Sequence, residues 1–276
     1  MICTSCVKVI WRRYMQYEAD KGYLIVAGTD SSQCDYIACA ETLVKSLKYW
    51  HPDAKVCLVT DQENYQNPLF DFIKPFRYGN TGGWTTDWQV FYTSPFHETV
   101  KIEADMVISG PIDHWWPLYR NKSVWISTGA RNFHGVPATS RYYRKIFDYN
   151  NLPDVYNAIT YWRVSAEAEQ FFNNVKQCFQ NWDEIKLNIK MGKDEEASTD
   201  LIYALFADKF ITPGFGPQIV HMKPAILGTS AEDWSKELVW EVVDGVIRIN
   251  GHNQHGFVHY HCKELAQQLG EYYGYS

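Results

Sequence analysis

Glu103 and Asp105 lie two positions apart in Lys101-Ile102-Glu103-Ala104-Asp105-Met106-Val107-Ile108, where an apolar strand is expected to end. Residues i and i+2 of a strand share a face, so the two carboxylates can converge on one point. Hard oxygen ligands at the mouth of a sheet suit Mg2+ or Mn2+, and such an ion suits a diphosphate. Two acids at this spacing also occur freely by chance, so the rest of the chain has to supply the context.

Four of the nine histidines fall within ten residues, at His252, His255, His259 and His261. In Val258-His259-Tyr260-His261 two imidazoles would share a strand face, and imidazole is a reasonable third ligand for Mn2+ beside two carboxylates. Lys263 follows on that face and suits a departing diphosphate. His221, ahead of Met222-Lys223-Pro224, offers the same chemistry elsewhere. His259, His261 and His221 are therefore open alternatives for one role.

These residues need a sheet to hold them. Tyr23 to Gly28 reads as a buried strand. From Asp35 to Trp50 the residues Ile37, Ala40, Leu43, Val44 and Leu47 form one helical stripe, ending before His51-Pro52. Lys55 to Thr60 is a second strand closed by Asp61, Trp88 to Tyr92 reads as helical, and Thr99 to Ile108 reads as one further strand. A strand–helix–strand unit implies a parallel sheet, whose ligands sit at the carboxyl ends of the strands. Gly28-Thr29-Asp30, Asp61 and Glu103/Asp105 all fall at or near such ends. Further on, Glu167 to Trp182 and Ser198 to Phe206 are expected helices, the second entered through Asp194-Glu195-Glu196, and the tail is strand-like around Gly245 to Ile249. The expected architecture is a single α/β domain over residues 1–276. It has a Rossmann-like, mostly parallel central sheet flanked by helices, and its first 110 residues read as a nucleotide-binding half.

Composition bounds the partners. The chain carries 26 basic and 32 acidic residues, a formal charge of −6, which argues against a general nucleic-acid binder. The charge is uneven. Arg120, Lys122, Arg131, Arg141, Arg144 and Lys145 fall between Asp113 and Asp148 with no acid among them. Such an island suits phosphates. With 11 Trp, 19 Tyr and 14 Phe, rings are available to line a cleft as well as a core. Seven irregularly placed cysteines suggest a reduced, cytoplasmic protein, and the lone Cys3/Cys6 pair lacks a partner pair for zinc. No apolar run is long enough to span a bilayer.

Three blocks carry a family resemblance. AGTDSSQCDYIACAETLVKSLKYW, SPFHETVKIEADMVISGPIDHWW and FVHYHCK occur in that order between about residues 27 and 263. Together they resemble the GT-A-type glycosyltransferases, and most closely small phage-encoded transferases distantly related to glycosyltransferase family 8. The second block is similar to the strand ending in the DxD motif, with Glu103 replacing the first Asp by a residue one methylene longer. The resemblance implies that Glu103, Asp105 and His259 hold Mn2+ (or Mg2+) on the diphosphate of a nucleotide-sugar donor. It further implies that Ala27, Gly28, Thr29, Asp30 and Tyr36 read the nucleotide, that Asn157 contacts a sugar, and that Lys263 meets the diphosphate. Asp194, Glu195, Glu196 or Asp200 would lie beside the acceptor, where an inverting enzyme needs a base; the family leans towards retention.

The implied activity is a hexosyl or pentosyl transfer to a hydroxyl. The resemblance implies a nucleotide-sugar half over 21–110 and an acceptor half over 111–276. With the basic island it favours a hydroxymethylated (or hydroxylated) base in phage DNA as acceptor, in the host cytoplasm, the alternative being a saccharide or protein. A non-catalytic nucleotide-sugar-binding module and a metal-dependent phosphohydrolase are the competing readings.

Overall fold

A run of residues apolar on both sides builds the centre of the molecule. Leu24 and Ile25 are fully buried, and so are Val56 to Val59, as strands covered on both faces must be. The structure is a computed structural model that describes residues 17–28, 35–79, 83–138, 144–193, 195–212, 216–222, 239–260 and 265–274. Its six-stranded sheet has the order β3-β2-β1-β4-β8-β6, with β1 Ala19–Val26, β2 Val56–Thr60, β3 Phe72–Pro75, β4 Phe96–Glu103, β6 Val124–Thr128 and β8 Val155–Arg163. Strands β1 to β4 are mutually parallel, and β8 alone runs the other way. Its first residues therefore lie at the edge where β1, β2 and β4 end.

Helix α1 (Tyr36–Trp50) connects β1 to β2, as its stripe predicts, and stops at Trp50 before His51-Pro52. Asp35 caps it, its Oδ1 accepting from the Ala38 N–H at 3.0 Å. Two small helices follow, α2 (Val90–Thr93), entered through a 3-10 segment over Gly83–Gln89, and α3 (Trp115–Tyr119). Then come α4 (Lys145–Tyr149), α5 (Ala166–Gln180), α6 (Trp182–Ile185), α7 (Thr199–Ala204) and α8 (Leu265–Tyr273).

Two cores form on the two faces of the sheet. Ile25, Ile102 and Leu43 of α1 belong to one; Leu24, Trp162 and Phe172 of α5 belong to the other. In the second core the Phe91 and Phe172 rings stack at 5.1 Å. The inward stripe of α5 is as its spacing predicts, with Ala168, Phe171, Phe172, Val175 and Cys178 buried.

The stretch expected as one strand from Thr99 to Ile108 is two. β4 stops at Glu103, Ala104-Asp105 make a turn, and β5 (Met106–Ser109) enters a second sheet of order β5-β13-β9-β7. In that sheet β7 is Arg131–Asn132, β9 is Ile219–His221 and β13 is Gly256–His259. A small antiparallel sheet of β10 (Trp240–Val243), β11 (Val246–Ile249) and β12 (His252–Asn253) precedes β13. The acidic pair thus straddles a seam between sheets, which an apolar run continuous in sequence conceals. Helix α7 begins at Thr199 with Ser198 as its cap, so Glu195 and Glu196 lie ahead of it as expected, and it ends at Ala204, two residues short of Phe206.

Gly22 of β1 shows how tightly the sheet is covered. A Cβ there would stand 2.4 Å from the ring of Phe96, which is fully buried and has nowhere to go. Gly22→Val should destabilise the fold by about 1–3 kcal/mol, seen as a lower thermal midpoint, and a midpoint equal to wild type would contradict this packing.

Candidate active site

The turn after β4 sets the site. Met106 pairs with His259 across the antiparallel β5–β13 ladder, and the Tyr260 N–H donates to the Asp105 carbonyl at 3.1 Å. Backbone pairing thereby fixes the spacing of Asp105 and His259 before their side chains are considered. The imidazole Nε2 lies 3.0 Å from Asp105 Oδ2, and Glu103 Oε2 lies 3.8 Å from Nδ1. Glu103, Asp105 and His259 each offer a ligand atom within 4.8 Å of the others. Among the described residues this is the one grouping of its kind.

The donor set fits a hard divalent cation. Octahedral Mg2+ with bonds of 2.0–2.1 Å places neighbouring ligand atoms about 3.0 Å apart, which is the Asp105–His259 separation. Glu103 approaches from the other nitrogen of the ring and is the looser member. Of the three competing histidines, His259 is the one beside the carboxylates. His221, its register partner on β9, lies behind it with ring centroids 5.2 Å apart. His261 is outside the described residues.

Beneath this cluster runs a polar floor, of which sequence reasoning named Asn157 and Asp200 but not Tyr156 or Asp87. Because β8 is antiparallel, Tyr156 and Asn157 lie alongside the end of β4. The Tyr156 hydroxyl meets His259 Nδ1 at 2.6 Å. Burial, with Glu103 and Asp200 nearby, pushes the Tyr156 phenol well above its usual range, against the opposing pull of Arg144. Asn157 is 1% exposed. Its N–H donates to Asp200 Oδ1 at 2.8 Å, its Nδ2 to Asp87 Oδ2 at 3.4 Å, and its Oδ1 accepts from Thr160. The side chain expected to touch a sugar is therefore engaged within the protein.

Lys101, two residues before Glu103, is buried and ion-paired to Asp87, to which the Tyr203 hydroxyl also donates at 2.5 Å. A lysine in the middle of an apolar strand was the available signal for this pair. Burial and Asp87 push the Tyr203 phenol upward.

Of the acids expected near an acceptor, Asp200 is the one drawn into this network. Oδ2 accepts from Arg144 at 2.8 Å while Oδ1 takes Asn157. Burial raises the Asp200 carboxyl, against the lowering influence of Arg144. Glu195 and Glu196 are exposed in the preceding loop, and Asp194 is outside the described residues. Ala27 is buried at the end of β1, with its N–H bonded to the Val59 carbonyl at 3.0 Å, and Gly28 follows it. Tyr36 opens α1 and packs on the first core. Thr29, Asp30 and Lys263 lie outside the described residues, as do Cys3 and Cys6.

The basic island is less free than its sequence suggests. Arg120 pairs with Glu98 at 2.8 Å, Lys122 donates to the carbonyls of Lys209 and Ile211, and Arg144 is buried against Asp200 and the Val155 carbonyl. The Arg131 guanidinium donates to the Gly135 carbonyl. Arg141 is outside the described residues.

The sequence matches no protein-family model and no curated protein. Among solved structures, the galactosyltransferase LgtC, in complex with donor and acceptor sugar analogues, superposes with a TM-score of 0.52 at 10% identity. The match covers 91% of this chain and 95% of that one. The fold is GT-A-like.

Two further solved structures are more distant. The bifunctional glycosyltransferase WbbM gives a TM-score of 0.46 at 12% identity, over 75% of this chain and 40% of that one. GlyE of Streptococcus pneumoniae TIGR4 gives 0.41 at 10% identity, over 70% and 45%. This chain spans less than half the length of either. In this GT-A-like frame the seam between the sheets occupies the carboxyl edge of the parallel strands, the usual ligand edge of such sheets. No helix among the described residues is long and apolar enough to cross a membrane.

The buried pair under the site makes its own prediction. Lys101→Met leaves the Asp87 carboxylate buried without its cation and should cost about 3–5 kcal/mol. A double variant with Asp87→Leu should cost less than the sum of the two single changes. Additive losses in denaturant unfolding would show that the two side chains do not depend on each other.

Proposed function

We propose that this protein is a metal-dependent glycosyltransferase that moves a sugar from a nucleotide-diphosphate sugar to a hydroxyl acceptor. One observation carries the reading: Asp105 and His259 stand 3.0 Å apart, with Glu103 beside them, at the carboxyl edge of a GT-A-like sheet. Asp105 and His259 would hold Mn2+ or Mg2+, and Glu103 would bind it directly or through water. When bound, such an ion supplies Lewis-acid stabilisation of a diphosphate leaving group. Ala27, Gly28, Thr29, Asp30 and Tyr36 would read the nucleotide at the end of β1, and Lys263 would meet the diphosphate charge. Asp200, with both oxygens taken, serves to hold Arg144 and β8 in place rather than to accept a proton. Glu195, Glu196 and Asp194 remain the acids for an acceptor-side base.

For the acceptor, the internal engagement of Arg120, Lys122 and Arg144 favours a saccharide-type hydroxyl over a base in duplex DNA. LgtC, whose solved complex holds an acceptor sugar analogue, is in keeping with that choice.

The test is a panel of nucleotide-sugars with Mn2+, assayed for released nucleoside diphosphate and glycosylated product. Wild type should turn over one donor, and Asp105→Ala should be slower by about 100-fold or more. No turnover with any donor, together with tight nucleotide-sugar binding, would instead indicate a binding module, and release of sugar phosphate a hydrolase. Binding to duplex DNA that weakens steeply with salt would restore the DNA acceptor.

A further inference from the structure

We propose that Tyr156 is a positioning residue whose hydroxyl, on Nδ1 of His259, lets the imidazole present Nε2 either to Asp105 or to a cation. This rests on the metal site proposed above and assigns a role to a residue outside the ligand set.

The geometry divides the ring between two partners. Nε2 faces Asp105 Oδ2 at 3.0 Å, and Nδ1 faces the Tyr156 hydroxyl at 2.6 Å. A neutral imidazole has one N–H and one lone pair, so the state of one nitrogen dictates that of the other. Without a cation, a neutral imidazole facing the Asp105 carboxylate would carry its N–H on Nε2 and a lone pair on Nδ1. With a cation, the Nε2 lone pair is needed as ligand and the N–H must be on Nδ1.

A hydroxyl answers both states, because it can donate to Nδ1 or accept from it. A carboxylate or carbonyl could serve only the second. His259 is 3% exposed, so neither state leaves Nδ1 to be satisfied by bulk water.

Tyr156 is itself held for this task. The Arg144 guanidinium lies 5.9 Å from the centre of its ring, and the His221 ring lies 5.1 Å away. Arg144 is fixed in turn by Asp200 and by the Val155 carbonyl, next to Tyr156 in the chain. The phenol oxygen is thus aimed by packing rather than by chance rotation.

Tyr156→Phe keeps the ring and removes only the hydroxyl. Mn2+ affinity, read from the free-ion signal in electron paramagnetic resonance, should fall by about 10- to 100-fold, and the metal-free protein should melt lower because the buried Nδ1 loses its hydroxyl partner. Tyr273→Phe, which removes another buried hydroxyl bonded to the Gly245 carbonyl, should bind Mn2+ as wild type does. Equal affinity in wild type and Tyr156→Phe overturns the positioning role and leaves the metal site standing. Absence of Mn2+ binding in wild type overturns both. A second measurement needs no folded variant at position 156. Nitrogen-15 shifts of His259 in the wild-type protein should show the N–H on Nε2 without metal and on Nδ1 with Mg2+. The same tautomer in both conditions overturns the proposal.

Discussion

The pairing of β5 with β13 is the constraint on which the candidate site depends. It is a backbone ladder reinforced by the Ser109 hydroxyl, which donates to the Gln254 carbonyl across 145 residues of chain. No local preference of either segment would bring Asp105 and His259 together. Closing so long a loop is entropically costly, and the ladder meets that cost with main-chain hydrogen bonds and with the burial of Val107, Ile108, Phe257 and Val258. Side-chain chemistry at the seam is therefore a by-product of sheet assembly.

The antiparallel insertion of β8 supplies the second half of the arrangement. A parallel strand in that position would bring its last residues to the ligand edge; an antiparallel one brings its first. Tyr156 and Asn157 consequently arrive at the seam, and the register irregularity between β6 and β8 near Ile126 and Thr128 accompanies their divergence. Tyr156 goes to the histidine layer, Asn157 to the layer of Asp87 and Tyr203. Two consecutive residues thereby link both faces of the sheet, and Asp200 secures the backbone between them.

Much of this was legible from residues alone. The stripe of α1, the apolar run of β2 and the stripe of α5 carry patterns strong enough to fix those elements within a residue or two, whereas β1 starts four residues before its apolar run, in Ala19-Asp20-Lys21-Gly22. Glu103, Asp105 and His259 were also legible as a set, because few residue types suit a hard cation and they fall at strand ends. The turn at Ala104-Asp105 was not, since Ile102, Ala104 and Met106 are buried whether the chain continues straight or changes sheets. The internal partners of Asn157 were not legible either, because Asp87 and Asp200 lie far from it in sequence. Tyr156, Arg144 and the Lys101–Asp87 pair depend on contacts between distant segments, which spacing in one chain does not encode.

The change of sheet at Ala104-Asp105 has a thermodynamic corollary. The two sheets share a continuous strand path there, yet the far side of the seam belongs to the last part of the chain. Any ligand that bridges Asp105 and His259 consequently acts as a reversible cross-link between the middle of the chain and its C-terminal strands. By mass action such a bridge adds its binding free energy to the docking of the second sheet. Occupancy of the site and the cohesion of the molecule are then two readings of one equilibrium.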